Sequence, residues 1–282
     1  MHLHRSVVTI AVVMLVIFGS VNVTSQVPIT RTEFGNPIYP AYEGWYNQPD
    51  GSITLLIGYF NPNTDEVVRI PIGEENFISQ GVPDQGQPTV IQPGRGHGVF
   101  TINVPADFGD QQVSWTLTTN DQTVTVPMHL DTQWILEPLL DAGNGNEPPT
   151  IRFSEMSEGH TGPPIGIAHS LSGSVGTPVE LSVWTTDVKP TGNLESIAAA
   201  AARSRRPALI LKWHLLRGPG DVEFLEPEQE FEDSSDQNPS TTATFSAPGE
   251  YVLRVEALDE TGEGGSGFQC CWTSAHVQVN IS

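Results

Sequence analysis

The chain predicts an all-β fold: two β-sandwich domains behind a cleaved leader. Two features of the 282 residues point there. Turn formers are dense, with 27 glycines and 23 prolines, and they break the chain into short segments. The segments between them are runs of about five to nine residues rich in Val, Ile, Thr and aromatics, several alternating apolar with polar. The strongest helix former after the leader is the short stretch 197–203 (IAAAAAR), too short to be stable alone.

Residues 1–25 predict a signal peptide. A short basic start precedes an apolar run, Val7–Phe18, broken only by Thr9, and Val23-Thr24-Ser25 places small residues before Gln26. The run is shorter than the ~20 residues that span a bilayer, and no Cys follows it to carry a lipid. The expectation is a secreted or periplasmic protein with no stable membrane insertion after signal cleavage. Lysine and arginine number 12 against 33 acids, a formal net charge of -21. Such a surface repels phosphate backbones and anionic lipid, so no nucleic-acid partner is expected.

Residues 26–140 form the first predicted sandwich. Ser52–Phe60 (SITLLIGYF) is a strand, Asn61–Thr64 a turn, and Glu66–Ile72 the returning arm of a hairpin. Gly73–Gly98 reads as a long ordered loop and Val99–Val104 as a strand. Val113–Thr118 and Thr123–Met128, joined across Asn120-Asp121, make a second hairpin with one apolar face per strand. Leu130–Leu140 offers a last strand. Residues 141–149 (DAGNGNEPP) are the expected linker.

Residues 150–282 form the second sandwich. Strands are expected at Thr150–Phe153, Val179–Trp184, Ala208–Leu215, Asp221–Leu225, Thr241–Phe245, Tyr251–Leu258 and His276–Ile281. Gly192–Pro207 reads as an insertion and Glu226–Asp236 as a solvated acidic run. The centre of this half is Ala243–Asp259 (ATFSAPGEYVLRVEALD): a strand, a Pro-Gly corner and a long strand with one buried face.

Trp213, then GPGDVEF at 218–224, then ATFSAPGEYVLRV at 243–255 resemble bacterial PKD-like and related immunoglobulin-like domains over Thr150–Ser282. The resemblance implies that Trp213 is a core residue of strand C and that Tyr251 opens strand F. Gly192–Pro207 and Glu260–Cys271 depart from the pattern. In the first half, GYFNPNTDEVVRIPIG and VPADFG…WTLTTND resemble a domain of uncharacterised secreted bacterial proteins.

Four constellations are candidates for chemistry. The only cysteines, Cys270 and Cys271, are adjacent. Neighbouring Cα atoms lie ~3.8 Å apart across a trans peptide, below the usual disulfide range. A vicinal disulfide therefore needs a distorted peptide, and a reduced thiol pair, an intermolecular bridge or a metal site stays open beside it. With His276 and His214 the thiols make a soft ligand set, although structural roles are the favoured reading of all four. Asp259, Glu260 and Glu263 are weak calcium candidates, because a hard cation wants several oxygens from one loop. The aromatics Tyr42, Trp45 and Tyr46, beside Tyr39, are candidates for a sugar-stacking platform, against the alternative that they close the first core.

No GxSxG elbow, HExxH, phosphate-cradling loop or GxGxxG is present. The expected function is a non-catalytic binding or structural module with no cofactor, calcium being the weak exception. It would engage an extracellular or cell-envelope protein or glycan, with the long loop Glu260–Trp272 as the leading contact. A carbohydrate-binding module is the first alternative, and a secreted hydrolase or metal-binding protein the second.

Overall fold

The computed structural model describes residues 31–141, 145–188, 206–262 and 270–282. The expected leader and most of the stretches 192–207 and 260–272 lie outside them. In order, the strands are β1 Tyr39–Asn47, β2 Ile53–Asn61, β3 Val68–Arg69, β4 Asn76–Ile78, β5 Val90–Ile91, β6 Gly94–Val104, β7 Val113–Thr119, β8 Gln122–Met128, β9 Thr150–Arg152 and β10 His160–Thr161. They continue as β11 His169–Gly173, β12 Val179–Ser182, β13 Trp184–Thr186, β14 Leu209–Arg217, β15 Val222–Phe224, β16 Glu228–Phe231, β17 Ser240–Phe245, β18 Gly249–Asp259 and β19 Trp272–Ile281. The all-β class is as the sequence predicts.

In the first half, sheet β1-β2-β6 faces sheet β4-β7-β8, and β3 pairs with β5. Between them lies a core that includes Leu55, Ile57, Phe100, Trp115 and Leu117. The expected hairpin of 52–60 with 66–72 does not form. β2 is buried on both faces and takes the central place between β1 and β6. A strand with two apolar faces needs cover on both. The 66–72 segment pairs over only two residues, Val68 and Arg69, with Ile91 and Val90, and Pro71 cannot donate to a longer ladder. The β7–β8 hairpin forms as predicted. Asn120 and Asp121 both take positive φ, 49° and 59°, the requirement of a tight two-residue turn. Leu130–Leu140 gives a 3-10 turn at Thr132–Trp134 rather than a strand.

In the second half, five strands order as β11-β19-β18-β14-β16, with β11 parallel to β19. The sheet β12-β17-β15 shares the second core with it through Leu181, Ala243 and Phe245, and β10-β9-β13 is a further three-stranded sheet. β17 and β18 belong to different sheets, so the Pro-Gly corner at Ala247–Gly249 crosses the sandwich instead of closing a hairpin. Tyr251 Oη donates back to Ala247 O at 2.8 Å, and its ring packs edge-on against Phe245 at 4.8 Å. This is the tyrosine corner of immunoglobulin-like sandwiches. Trp213 is buried in the core on β14. The acidic run 226–236 is not all loop, because its centre, β16, pairs with Leu209–Lys212 of β14.

β18 departs most from expectation. Its pattern predicted one buried face, yet from Leu253 to Asp259 every residue is buried. The extra cover comes from the first half. Val90 joins the second core and Leu216 the first, and Leu56, Leu258 and Trp272 form a third apolar cluster. Where it is described, the expected linker is held by side-chain bonds. Asn146 is 2% exposed and donates to Asp259 Oδ2. Arg31–Ser282 cluster as one compact unit.

Candidate functional site

The second face of β18 carries a polar grid. Antiparallel register aligns His214, Arg254 and His276 in one row, and Lys212, Glu256 and Ser274 in the next, across β14, β18 and β19. Alternation puts both rows on the same sheet face. In β18 that face follows from the sequence VRVEA, where Arg254 and Glu256 alternate with core residues.

β6 covers the grid. Ile57 pairs with Phe100 and Tyr59 with Gly96, so His97–Val99 stand opposite Gly58 alone. This excursion turns two backbone carbonyls toward the grid. Arg254 Nη2 donates to His97 O at 2.7 Å, and His276 Nε2 donates to Val99 O at 2.9 Å. Glu43 holds the excursion from behind. It falls in the register shift of β1 between Tyr42 and Gly44. Its carboxylate accepts Arg95 Nη2 at 2.6 Å and Gly98 N at 2.9 Å, and His97 Nδ1 lies 3.5 Å away. Glycine is required at two of these crossings. A Cβ on Gly58 would strike Glu43, and one on Gly98, at φ +49°, would strike the Trp272 ring.

Arg254 is the hub. Nε donates to Ser274 Oγ at 2.7 Å, and Nη2 also reaches Glu256 Oε1 at 2.5 Å. Both partners of this ion pair are almost wholly buried. Burial, then the Arg254 charge, pulls His276 down to about 4. The same two causes in the same order, with Lys212, lower His214. Both rings are therefore neutral at neutral pH, and a carbonyl accepting from Nε2 fixes the His276 tautomer.

A cleft of about 180 Å³ opens beside the grid, lined by Tyr59, Gln92, Arg95, Lys212, His214, Arg254 and Glu256 with apolar Val90, Val99 and Leu215. Two further ion pairs tie the halves: Arg69 with Asp221 at 2.6 Å and Arg217 with Asp84 at 2.7 Å. Arg217 Nε also donates to Gln87 O.

The sequence candidates fall elsewhere. Tyr42, Trp45 and Tyr46 are buried. Tyr42 Oη donates to His129 O at 2.6 Å with its ring stacked on Trp134, and Trp45 Nε1 donates to Asp131 O at 3.0 Å. Burial raises the Tyr46 phenol to about 12. The stacking platform is thus corrected: Tyr42 and Trp45 belong to the first core, Tyr46 is buried outside it beside Thr54 and Gln48, and Tyr39 is half-buried. Cys270 and Cys271 are bonded to each other across a cis peptide, with Cα atoms 3.0 Å apart. Trp272, the next residue, fills an apolar cluster with Leu56 and Leu258. The Asp259 carboxylate is engaged by Thr261 N at 2.7 Å, Thr261 Oγ1 at 2.5 Å and Asn146. It serves as a turn anchor in place of a calcium ligand, and burial raises its pKa. Glu260 is half-exposed and Glu263 lies outside the described residues. Among the described residues no three His, Cys, Asp or Glu side chains converge as a metal site.

Sequence reasoning missed Glu43, Arg95 and His97, and gave the Arg254–Glu256 face to solvent. The available signal was the glycine-flanked set YEG, IGY and GRGHG at 42–44, 57–59 and 94–98. Glycine spaced around charges marks close backbone approach.

No family model matches the chain, and no curated protein matches it. Among solved structures, a titin immunoglobulin tandem is 11% identical, covering 88% of this chain and 98% of that one at a TM-score of 0.24. The D00-D0 domain of intimin is 9% identical, with 87% and 99% covered at 0.28. The Yersinia pseudotuberculosis adhesin InvE is 8% identical, with 86% and 58% covered at 0.26. The strand order and the tyrosine corner, not these overlays, identify the immunoglobulin-like sandwich. No helix among the described residues is long and apolar enough to cross a membrane.

Proposed function

We propose that this chain is an exported, non-catalytic binding module that engages a protein of the cell surface or envelope, its second half being of the PKD-like kind. One observation carries the reading: five of the eight described lysines and arginines gather about the junction with carboxylate partners, while the acid surplus stays exposed. Arg69, Arg95, Lys212, Arg217 and Arg254 are each matched with a carboxylate there. Glu223, Glu226, Glu228, Glu230, Glu232 and Asp233 are exposed around the β16 edge. Two of these pairs join the halves and three lie within one half, and the exposed acidic field that remains attracts a basic partner.

The test is adhesion of the labelled chain to intact cells, with and without protease treatment of the cells, at about 0.05 and 0.5 M salt. Screening lengths differ severalfold between these conditions. We expect protease-sensitive binding that weakens at high salt. Binding that resists protease and salt but is competed by a neutral polysaccharide would overturn the reading in favour of a carbohydrate-binding module.

A further inference from the structure

The junction cleft shares a wall with a larger hollow. This second space, about 500 Å³, is walled by Val67, Trp213, Val222 and Phe224, and shares Val90, Gln92, His214 and Leu215 with the first. The two differ in chemistry. In a chain whose acids outnumber cations 33 to 12, the small cleft is walled by Arg95, Lys212 and Arg254 against the carboxylate of Glu256. The larger one adds the apolar side chains of Val67, Trp213, Val222, Phe224 and Pro227, together with the Arg69–Asp221 ion pair.

Donor capacity remains at the charged end. Arg254 spends Nε on Ser274 and Nη2 on His97 O and Glu256. That leaves Nη1 without a hydrogen-bond partner among the described residues. Lys212 Nζ has one carboxylate, Glu228 Oε2, at a loose 3.5 Å, and an ammonium carries three donors. A buried, partly satisfied guanidinium beside an apolar chamber suits an anion joined to an apolar body.

We propose that the cleft binds a small organic carboxylate with an apolar body. The carboxylate sits against Arg254 and Lys212, and the body lies along Trp213 and Phe224. The inference is independent of the proposed adhesion.

The test titrates the purified chain with 3-phenylpropionate, 3-phenylpropanol and acetate, reading tryptophan fluorescence and heat of binding. Trp213 lines the apolar chamber and reports on its occupation. We expect saturable binding of 3-phenylpropionate, none of acetate, and the alcohol at least about tenfold weaker, as expected when a charged hydrogen-bond partner is lost. Lys212→Gln should weaken the acid about tenfold and leave the alcohol unchanged. Gln92→Phe should fill the space beside the shared wall and abolish both. Neither side chain holds the core, so folding of both variants is checked by circular dichroism. Equal affinity for acid and alcohol, an unchanged affinity in Lys212→Gln, or no saturation would each overturn the proposal.

Discussion

Replacing Arg254 with methionine isolates the energetics of the junction. The change removes bonds to Ser274 Oγ, His97 O and Glu256 Oε1 at 2.7, 2.7 and 2.5 Å, while methionine keeps most of the stem's packing. Glu256, 1% exposed, loses its guanidinium. Breaking one side of a buried ion pair costs about 3–5 kcal/mol, because the remaining charge stays desolvated. In a unit of this size each kcal/mol moves the midpoint by roughly 2–4 °C, so thermal unfolding should shift down by about 6–20 °C. The double variant Arg254→Met with Glu256→Leu should recover most of the loss, since paired apolar replacements are often neutral or stabilising. Calorimetry and urea unfolding of the single and double variants decide the matter. A single-variant loss under about 1 kcal/mol, or a double variant less stable than the single, would refute the claim that the pair is buried between the halves.

Other expectations follow from the same geometry. His276 is held near 4 when folded, against an ordinary 6.5. Between those values the unfolded chain binds the proton and the folded chain does not. Its contribution, on the order of 3 kcal/mol, is complete above pH 6.5 and is lost as pH falls toward 4. Urea unfolding across that range should show stability rising with pH, and His276→Gln should flatten the slope; an unchanged slope would assign the effect to other groups. Gly98→Ala meets the Trp272 ring at a left-handed φ, so it should cost about 2–3 kcal/mol and shift tryptophan emission. If the variant matches the parent in both, β6 does not approach β19 as described. Tyr251→Phe removes the corner bond to Ala247 O and should cost about 1 kcal/mol in denaturant unfolding. Tyr42→Ala, by contrast, should cost about 3 kcal/mol as a core truncation; a variant that keeps its stability but loses glycan binding would restore the stacking platform.

The strands were largely legible because their signals are local. Asn120-Asp121 sets its own turn, and Tyr251 after Pro-Gly sets its own corner. The β2 hairpin was misread because SITLLIGYF is apolar on both faces, and periodicity does not say which neighbours cover them. The aromatics of β1 were ambiguous for a related reason: a ring that closes a core and a ring that stacks on a sugar have the same composition. The cysteine pair was legible only as a set of alternatives, since adjacent residues join or part according to one peptide bond.

By itself, the sequence determined the all-β class, the acid surplus, the turns and the strand–corner–strand centre at Ala243–Asp259, all properties of residues close in the chain. Only the tertiary structure decided the junction. Glu43, Arg95, His97, Arg254, Glu256 and His276 come from β1, β6, β18 and β19, separated by up to more than two hundred residues. Their pairing depends on which sheet face is covered and by what. A charge in a strand reads as solvent-facing until another backbone arrives to desolvate it, and here the three-residue excursion of β6 opposite Gly58 brings that backbone.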